Sequence, residues 1–238
     1  MIRVPIVVAS CTIYALAASL DGKLFATGDR DGNIRVWQAS DGKRLHEMQV
    51  DGLPVYGLAF HPDGQRLISA DRQPKKPRLK VWEFATGKEQ RNIDVPQLST
   101  YRRVEDIEWG GIRGMTISPD GNTLVACGSH EYSGPACALL FDLATGELKR
   151  KLTSTLKGFY YSAPFHAQGF LLTAGGDIGK GKLRTWDPSQ DESIANINTP
   201  GPCTSLDIHP GGASYVLTQM VGKSSYPDSG SLTLHDWP

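Results

Sequence analysis

The sequence predicts an all-β fold in which five similar units stack on one another, and three observations carry that expectation. The first is a recurring stretch. ASLDGKLFATGDRDGNIRVWQASDGKRL (18–45) returns in weaker form as AFHPDGQRLISA…RLKVWEFATGKE (59–89) and TISPDGNTLVAC…ALLFDLATGEL (116–148). It returns twice more, as PFHAQGFLLTAG…KLRTWDPSQDES and DIHPGGASYVLTQ…SLTLHDWP. A unit of this length cannot bury its own apolar face, so it must stack on its neighbours. The second is the period. The aromatic slot is filled by Trp37, Trp82, Phe141, Trp186 and His235, at intervals of 45, 59, 45 and 49 residues. A spacing near 45 built of short β-rich runs fits four strands per unit, the length of one propeller blade. The third is punctuation by Pro-Asp-Gly and Thr-Gly, where proline presets φ and glycine accepts positive φ.

The elements follow in order. Arg3 to Val8 reads as a β-strand, although Met1-Ile-Arg3 and VPIVVASC also resemble a lipoprotein signal with a short apolar run. The first blade is expected over 12–50 and the second over 54–95. In the second, Val55–Phe60, Arg66–Ala70, Leu79–Trp82 and Glu89–Val95 are the four strands. The segment from Pro96 to Gly111 is an insertion with a short helical turn near Val104 to Trp109; no other segment carries a helical period. Blades three, four and five are expected over 112–153, 159–198 and 202–237. The fifth copy ends after its third strand, and Arg3 to Val8 is the spare strand available to it. Pro5 suits an outer edge, where a missing N–H costs little.

The pattern Ser/His-Pro-Asp-Gly, apolar strand, Asp-Gly-x-Ile-Arg-Val-Trp and Ala-Thr-Gly-Lys resembles the WD-repeat (WD-40) β-propeller family over nearly the whole chain. The resemblance implies four-stranded antiparallel blades in one domain, 1–238, closed by lending the N-terminal strand to the last blade. Five blades are few for this family, so a fragment of a larger propeller is the alternative. The family's structural tetrad is complete only in copy one, with Asp31, Thr27 and Trp37. Its Gly-His pair aligns on Val50-Asp51, without the histidine.

Composition narrows the function classes. The 25 basic and 25 acidic side chains cancel, which argues against a nucleic-acid partner. No run of 18 apolar residues spans a membrane. The four cysteines read as free thiols in a reducing cytoplasm, with Cys127 and Cys137 on adjacent strands. None has zinc-site spacing, and no metal or cofactor is expected.

Several motifs tempt and fail. Gly176–Leu183 nearly matches a phosphate-binding loop, but Leu183 replaces the Mg²⁺-holding hydroxyl and a strand follows where a helix is needed. Asp29-Arg30-Asp31 has a calcium-loop flavour without the remaining ligands, so Asp31 is read as bonding the turn backbone. His61, His166 and His209 share one repeat position, expected on an outward-pointing rim, and read as turn residues. His235 fills an aromatic slot. No nucleophile–base constellation can be assembled, so no catalytic residue is assigned.

In the family, turns after strands two and four share the top face. The large insertions fall there: Asp71–Arg78, Gly128–Pro135, Gly175–Lys182, Met220–Gly230 and Pro96 to Gly111. The residue just inside strand one is Tyr14, Tyr56, Arg113, Tyr161 and Thr204 in the five copies, a position that the resemblance places on the top rim of the central channel. Tyrosine and arginine dominate binding hot spots. The expected function is a cytoplasmic, non-catalytic scaffold that binds a protein or peptide through Tyr14, Tyr56, Arg113 and Tyr161. Arg72, Lys75, Lys76, Arg78 and Lys182 would steer an acidic segment. The rival is a small-molecule-binding or hydrolytic propeller using its channel, for which the first strands offer Asp207 beside Ala17, Ala59, Thr116 and Ala163.

Overall fold

A computed structural model describes residues 11–71, 73–102, 107–108, 111–130, 134–177, 179–209, 211–221 and 229–236. The expected strand Arg3 to Val8 lies outside these residues. The chain divides into two compact units, Met1–Pro96 and Gln97–Pro238.

The first unit holds two four-stranded antiparallel sheets. Blade one comprises β1 (Ile13–Ala18), β2 (Leu24–Asp29), β3 (Asn33–Gln38) and β4 (Arg44–Gln49). Blade two comprises β5 (Val55–Phe60), β6 (Arg66–Asp71), β7 (Arg78–Glu83) and β8 (Lys88–Asp94). Strands two and three are nearly continuous apolar runs because each lies between neighbouring strands with both faces covered. Ala26, Ile34, Val36, Val55 and Leu67 are fully buried in one cluster shared by the two blades. The outer strands β4 and β8 are polar and mostly exposed.

A 3-10 turn at Pro96–Leu98 begins on the last residue of the first unit, and the second unit continues with a hairpin of β9 (Tyr101–Arg102) and β10 (Ile107–Glu108). The helical turn expected around Val104 to Trp109 is therefore replaced by strand at its described residues. Blade three follows as β11 (Gly114–Ile117), β12 (Thr123–Ser129), β13 (Pro135–Asp142) and β14 (Leu148–Lys157). Blade four is β15 (Phe159–Ser162), β16 (Leu171–Asp177), β17 (Lys180–Trp186) and β18 (Ser193–Thr199). Blade five shows three strands among the described residues: β19 (Cys203–Ile208), β20 (Ser214–Val221) and β21 (Ser229–Asp236). One apolar cluster spans blades three and four, around Val125, Leu140, Leu152, Tyr160 and Trp186. Another spans blades four and five, around Leu172, Leu183, Leu206 and Leu217.

The segment 175–182 is no inserted loop. Gly176 pairs with Gly181 and Asp177 with Lys180, so β16 and β17 form a long, tightly turned hairpin. Leu183 is buried in its strand. Gly128, Ser129 and Pro135 are likewise strand residues.

The tetrad is better preserved than the sequence pattern implies. Trp37 Nε1 donates to Thr27 Oγ1 at 3.0 Å, Trp82 to Ser69 Oγ at 2.9 Å and Trp186 to Thr173 Oγ1 at 2.9 Å. Serine and threonine both offer the buried acceptor, so three blades keep the pair where one was expected. The turn carboxylate is Asp29 rather than the exposed Asp31. Asp29 accepts from the backbone N–H of Asp31 and Asn33, both at 2.9 Å, and from Arg35 at 2.7 Å.

The repeated histidines cap their own turns. Nδ1 of His61, His166 and His209 accepts from the amide two residues on, each at 3.1 Å. Two of them do not point outward: His61 and His166 are buried, and His166 Nε2 reaches Gly212 O at 3.0 Å, tying blade four to blade five. Ser19 and Ser118 serve the same turn with a hydroxyl.

Candidate binding surface on the first strands

The first strand of a blade begins at the end where strand two hands over to strand three. There the ladder breaks at one repeated position. In blade one Ile13 pairs with Asp29 and Ala15 with Gly28, leaving Tyr14 as an extra residue. The same break leaves out Tyr56 in blade two, Tyr161 in blade four and Thr204 in blade five. In blade three Arg113 stands just before the strand, and its N–H donates to Cys127 O at 2.8 Å. A β-bulge interrupts the in–out alternation and re-aims one side chain. Four of the five residues aligned by sequence are thus ones that the ladder sets aside, and Arg113 stands at the start of the remaining strand.

The two units present separate groups. In the first, the rings of Tyr14 and Tyr56 stack with centroids 4.8 Å apart and planes inclined by 9°. Tyr14 is 42% exposed, and Leu16 two residues on is 70% exposed. In the second, the Arg113 guanidinium lies 5.0 Å from the Phe159 ring centroid and 6.0 Å from that of Tyr161. Burial pushes the Tyr161 hydroxyl above its ordinary pKa and Asp177 adds to this, while Arg113 pulls it back. Thr204 differs in kind: its hydroxyl meets Thr218 Oγ1 at 2.9 Å and holds two strands together. Phe159 escaped the sequence reading because no repeat slot marks it. Its place two residues before Tyr161, on the same side of a strand, was the available signal.

The basic residues divide sharply. Lys75 and Lys76 are exposed at the turn joining β6 to β7, with Lys75 at φ 69°. Lys182 is half-buried within β17. Arg72 lies outside the described residues. Arg78 is committed within blade two, 2.8 Å from Asp71 and 3.3 Å from Asp51. Burial pushes the Asp71 carboxyl up, against the pull of that guanidinium. Asp51 also takes the Lys80 ammonium at 3.1 Å. It stands where the family's histidine is missing and ties the end of blade one to blade two by ion pairs.

The cysteines are free thiols; Cys127, Cys137 and Cys203 are buried. Burial pushes the Cys137 thiol up to about 11, which keeps it protonated and unreactive at neutral pH. Asp207 is exposed, and its carboxylate accepts from the Ile208 amide at 3.0 Å. Among the described residues, no three His, Cys, Asp or Glu side chains gather as a metal site. No described helix is long and apolar enough to cross a membrane.

Known proteins resemble this chain in its repeats. A family model described as "WD domain, G-beta repeat" matches residues 5–38 and 42–83. Human apoptotic protease-activating factor 1 is 39% identical over 79 residues, 30% of this chain and 6% of that protein. The periodic tryptophan protein 2 homolog of Schizosaccharomyces pombe is 27% identical over 147 residues, 58% of this chain and 16% of that protein. Small ribosomal subunit protein RACK1z of Oryza sativa is 29% identical over 114 residues, 48% of this chain and 31% of that protein. The chain thus spans less than a third of each of these relatives. In structure, a chain of Kuenenia stuttgartiensis hydrazine synthase superposes with a TM-score of 0.75 at 17% identity, covering 99% of this chain and 66% of that one. That likeness concerns the fold alone. Two WD repeats are matched directly, and the four-strand unit with its buried tryptophan–hydroxyl pair recurs beyond them, so the chain carries WD repeats and is built of β-propeller blades.

Proposed function

We propose that this chain is a non-catalytic scaffold that binds a protein or peptide through the residues its first-strand bulges set aside and through Arg113, which aligns with them. The repetition of the bulge carries the reading. A ladder break costs backbone hydrogen bonds, and a break at one register in blades one, two, four and five is a device for presenting side chains. In the first unit the stacked Tyr14 and Tyr56 offer a flat apolar face beside Leu16. In the second, Arg113 over Phe159 and Tyr161 offers a cation on an aromatic base. These are residue types in which binding energy concentrates. The names of two relatives, a protease-activating factor and a ribosomal subunit protein, fit a repeat that works by association.

Lys75 and Lys76 lie at the same end of blade two as Tyr56, which favours a partner with an acidic segment. Arg78 takes no part in this, because Asp71 and Asp51 already neutralise it. The test is capture of partners from native extract by wild type, by Tyr56→Ala with Arg113→Ala, and by Lys75→Glu with Lys76→Glu. The first double variant is expected to lose capture while keeping its circular dichroism spectrum. The second is expected to slow association most at low salt. Undiminished capture by a folded Tyr56→Ala/Arg113→Ala protein rules out these residues as the binding surface.

A further inference from the structure

The outer strand of a blade leaves one row of backbone N–H and C=O groups unpaired, and charges along such an edge keep it from pairing with another chain. Among the described residues four blades end in an outer strand, and three of these strands are charged. β4 carries Arg44 and Glu47. β8 carries Lys88, Glu89, Arg91 and Asp94, and β14 carries Lys149, Arg150, Lys151 and Lys157. β18 differs. Its sequence, Ser193-Ile-Ala-Asn-Ile-Asn-Thr199, holds no ionisable side chain, no proline and no glycine, the composition that lets like strands pair.

The strand is also open to solvent. Residues 194–198 are all exposed, with Ile194 at 55% and Ile197 at 51%. The other outer strands place Met48, Ile93 and Leu152 across from Ile34, Leu79 and Ala138, and each of the three is buried. Ile197 lies across from Leu183 in the same way, yet remains half in water. The ladder with β17 sets Ile194 aside and runs unbroken over 195–199, so this stretch is a regular edge. Asp191 and Glu192 stand before the strand and Pro200 after it, which limits any added pairing to these few residues.

We propose that two copies of this chain pair β18 against β18, antiparallel, about a two-fold axis at Ile197. In that register Ile197 faces Ile197 of the other copy, Asn196 faces Asn198, and Ala195 faces Thr199. Apolar meets apolar at the axis and amide meets amide on either side, pairs that cross-strand packing favours. The Ser193 hydroxyl donates to Asn196 Oδ1 at 3.2 Å, so the Asn196 NH₂ is the group that meets the Asn198 carbonyl. The same operation on β14 would set its lysines and arginine against their own kind. The acidic Asp191 and Glu192 of the two copies lie at opposite ends of the shared ribbon. An isologous contact of this sort uses up the one edge and stops at two copies. β18 is at the far edge of the sheet from β15, which carries Phe159 and Tyr161, so the contact is separate from the first-strand surface.

The experiment is sedimentation equilibrium of the full chain over rising concentration, with circular dichroism to show that each variant is folded. The mass of wild type is expected to rise about twofold and to level there. Ile197→Lys and Ile197→Glu are each expected to stay monomeric alone. Their equimolar mixture is expected to regain the doubled mass, because residue 197 faces itself across the axis. If either fails to fold, Asn196→Glu with Asn198→Glu decides the matter: its carboxylates would lie across from Arg184 and Lys182 within the blade, but against one another between copies. That variant is expected to be folded and monomeric. A wild type that stays monomeric, or that grows past two copies, overturns the proposal. So does a dimer that survives Asn196→Glu with Asn198→Glu, or a mixture of folded Ile197→Lys and Ile197→Glu that does not re-form it.

Discussion

The tryptophan–hydroxyl pairs show how much rests on single atoms. Trp82→Phe leaves the Ser69 hydroxyl buried without its donor and is expected to cost about 1–3 kcal/mol in urea unfolding. The reverse change, Phe141→Trp, is also expected to destabilise. Leu124 lies across from Phe141, and the position two residues on, which holds the hydroxyl in the other blades, carries Ala126, so a buried indole N–H lacks that acceptor. Asp29 sets a pH dependence. Burial by itself raises its carboxyl, but hydrogen bonds from Asn33, Cys11 and Arg35 outweigh that and hold it at about 2, below the ordinary 3.8. A depressed folded-state pKa contributes stability that is present above about pH 4 and is lost as pH falls towards 2. The contribution is about 2 kcal/mol. Acid titration of stability is the check: Asp29→Asn is expected to be weaker than wild type at pH 7 and to lose less between pH 4 and pH 2. Equal acid slopes would remove Asp29 from the account.

Among the elements, glycines decide how closely strands approach. Gly175 lies on β16 against β15, and any Cβ there would run into the backbone at Phe159. Gly175→Ala is expected to cost about 3 kcal/mol, since neither strand can move without breaking its ladder. Gly64 is different: its φ is 68° and nothing lies within 4 Å, so Gly64→Ala meets only the left-handed backbone penalty of about 1–2 kcal/mol. Chemical denaturation of the two variants should rank them in that order. The glycine-rich run 175–181, which resembles a phosphate loop in sequence, is a packing device between strands. The strands themselves were legible because Val-, Ile- and Leu-rich runs bounded by Pro-Asp-Gly leave little choice. The hairpin of β9 and β10 was not, because two-residue strands carry no period.

For the whole molecule, the core is divided among clusters that each span two neighbouring blades, so no blade owns its core. Leu172, Ala174 and Leu183 of blade four pack with Leu206 and Leu217 of blade five, while Leu171 and Trp186 pack towards blade three. Residues 159–199 expressed alone are therefore expected to be unfolded by circular dichroism, with no cooperative melt. A sigmoidal transition in that fragment would show that stacking is dispensable. The same arrangement explains why degraded copies persist: His235 fills the aromatic slot of blade five by stacking on Tyr215 at 5.0 Å. An aromatic plane of about the right size suffices when the neighbour supplies the rest of the core.

By itself the sequence determined the all-β class, the repeat, most strand positions and the Pro-Asp-Gly turns, because each depends on residues within one hairpin of one another. It also aligned Tyr14, Tyr56, Arg113, Tyr161 and Thr204, although not why they matter. Only the tertiary structure decided that four of these positions, all but Arg113, fall at breaks in the ladder, since a bulge is defined by what the partner strand does. It alone separated Lys75 and Lys76, exposed, from Arg78, neutralised by Asp51 across 27 residues of chain. Periodicity reports the local backbone, whereas the energy of a charge is set by whatever the fold brings beside it.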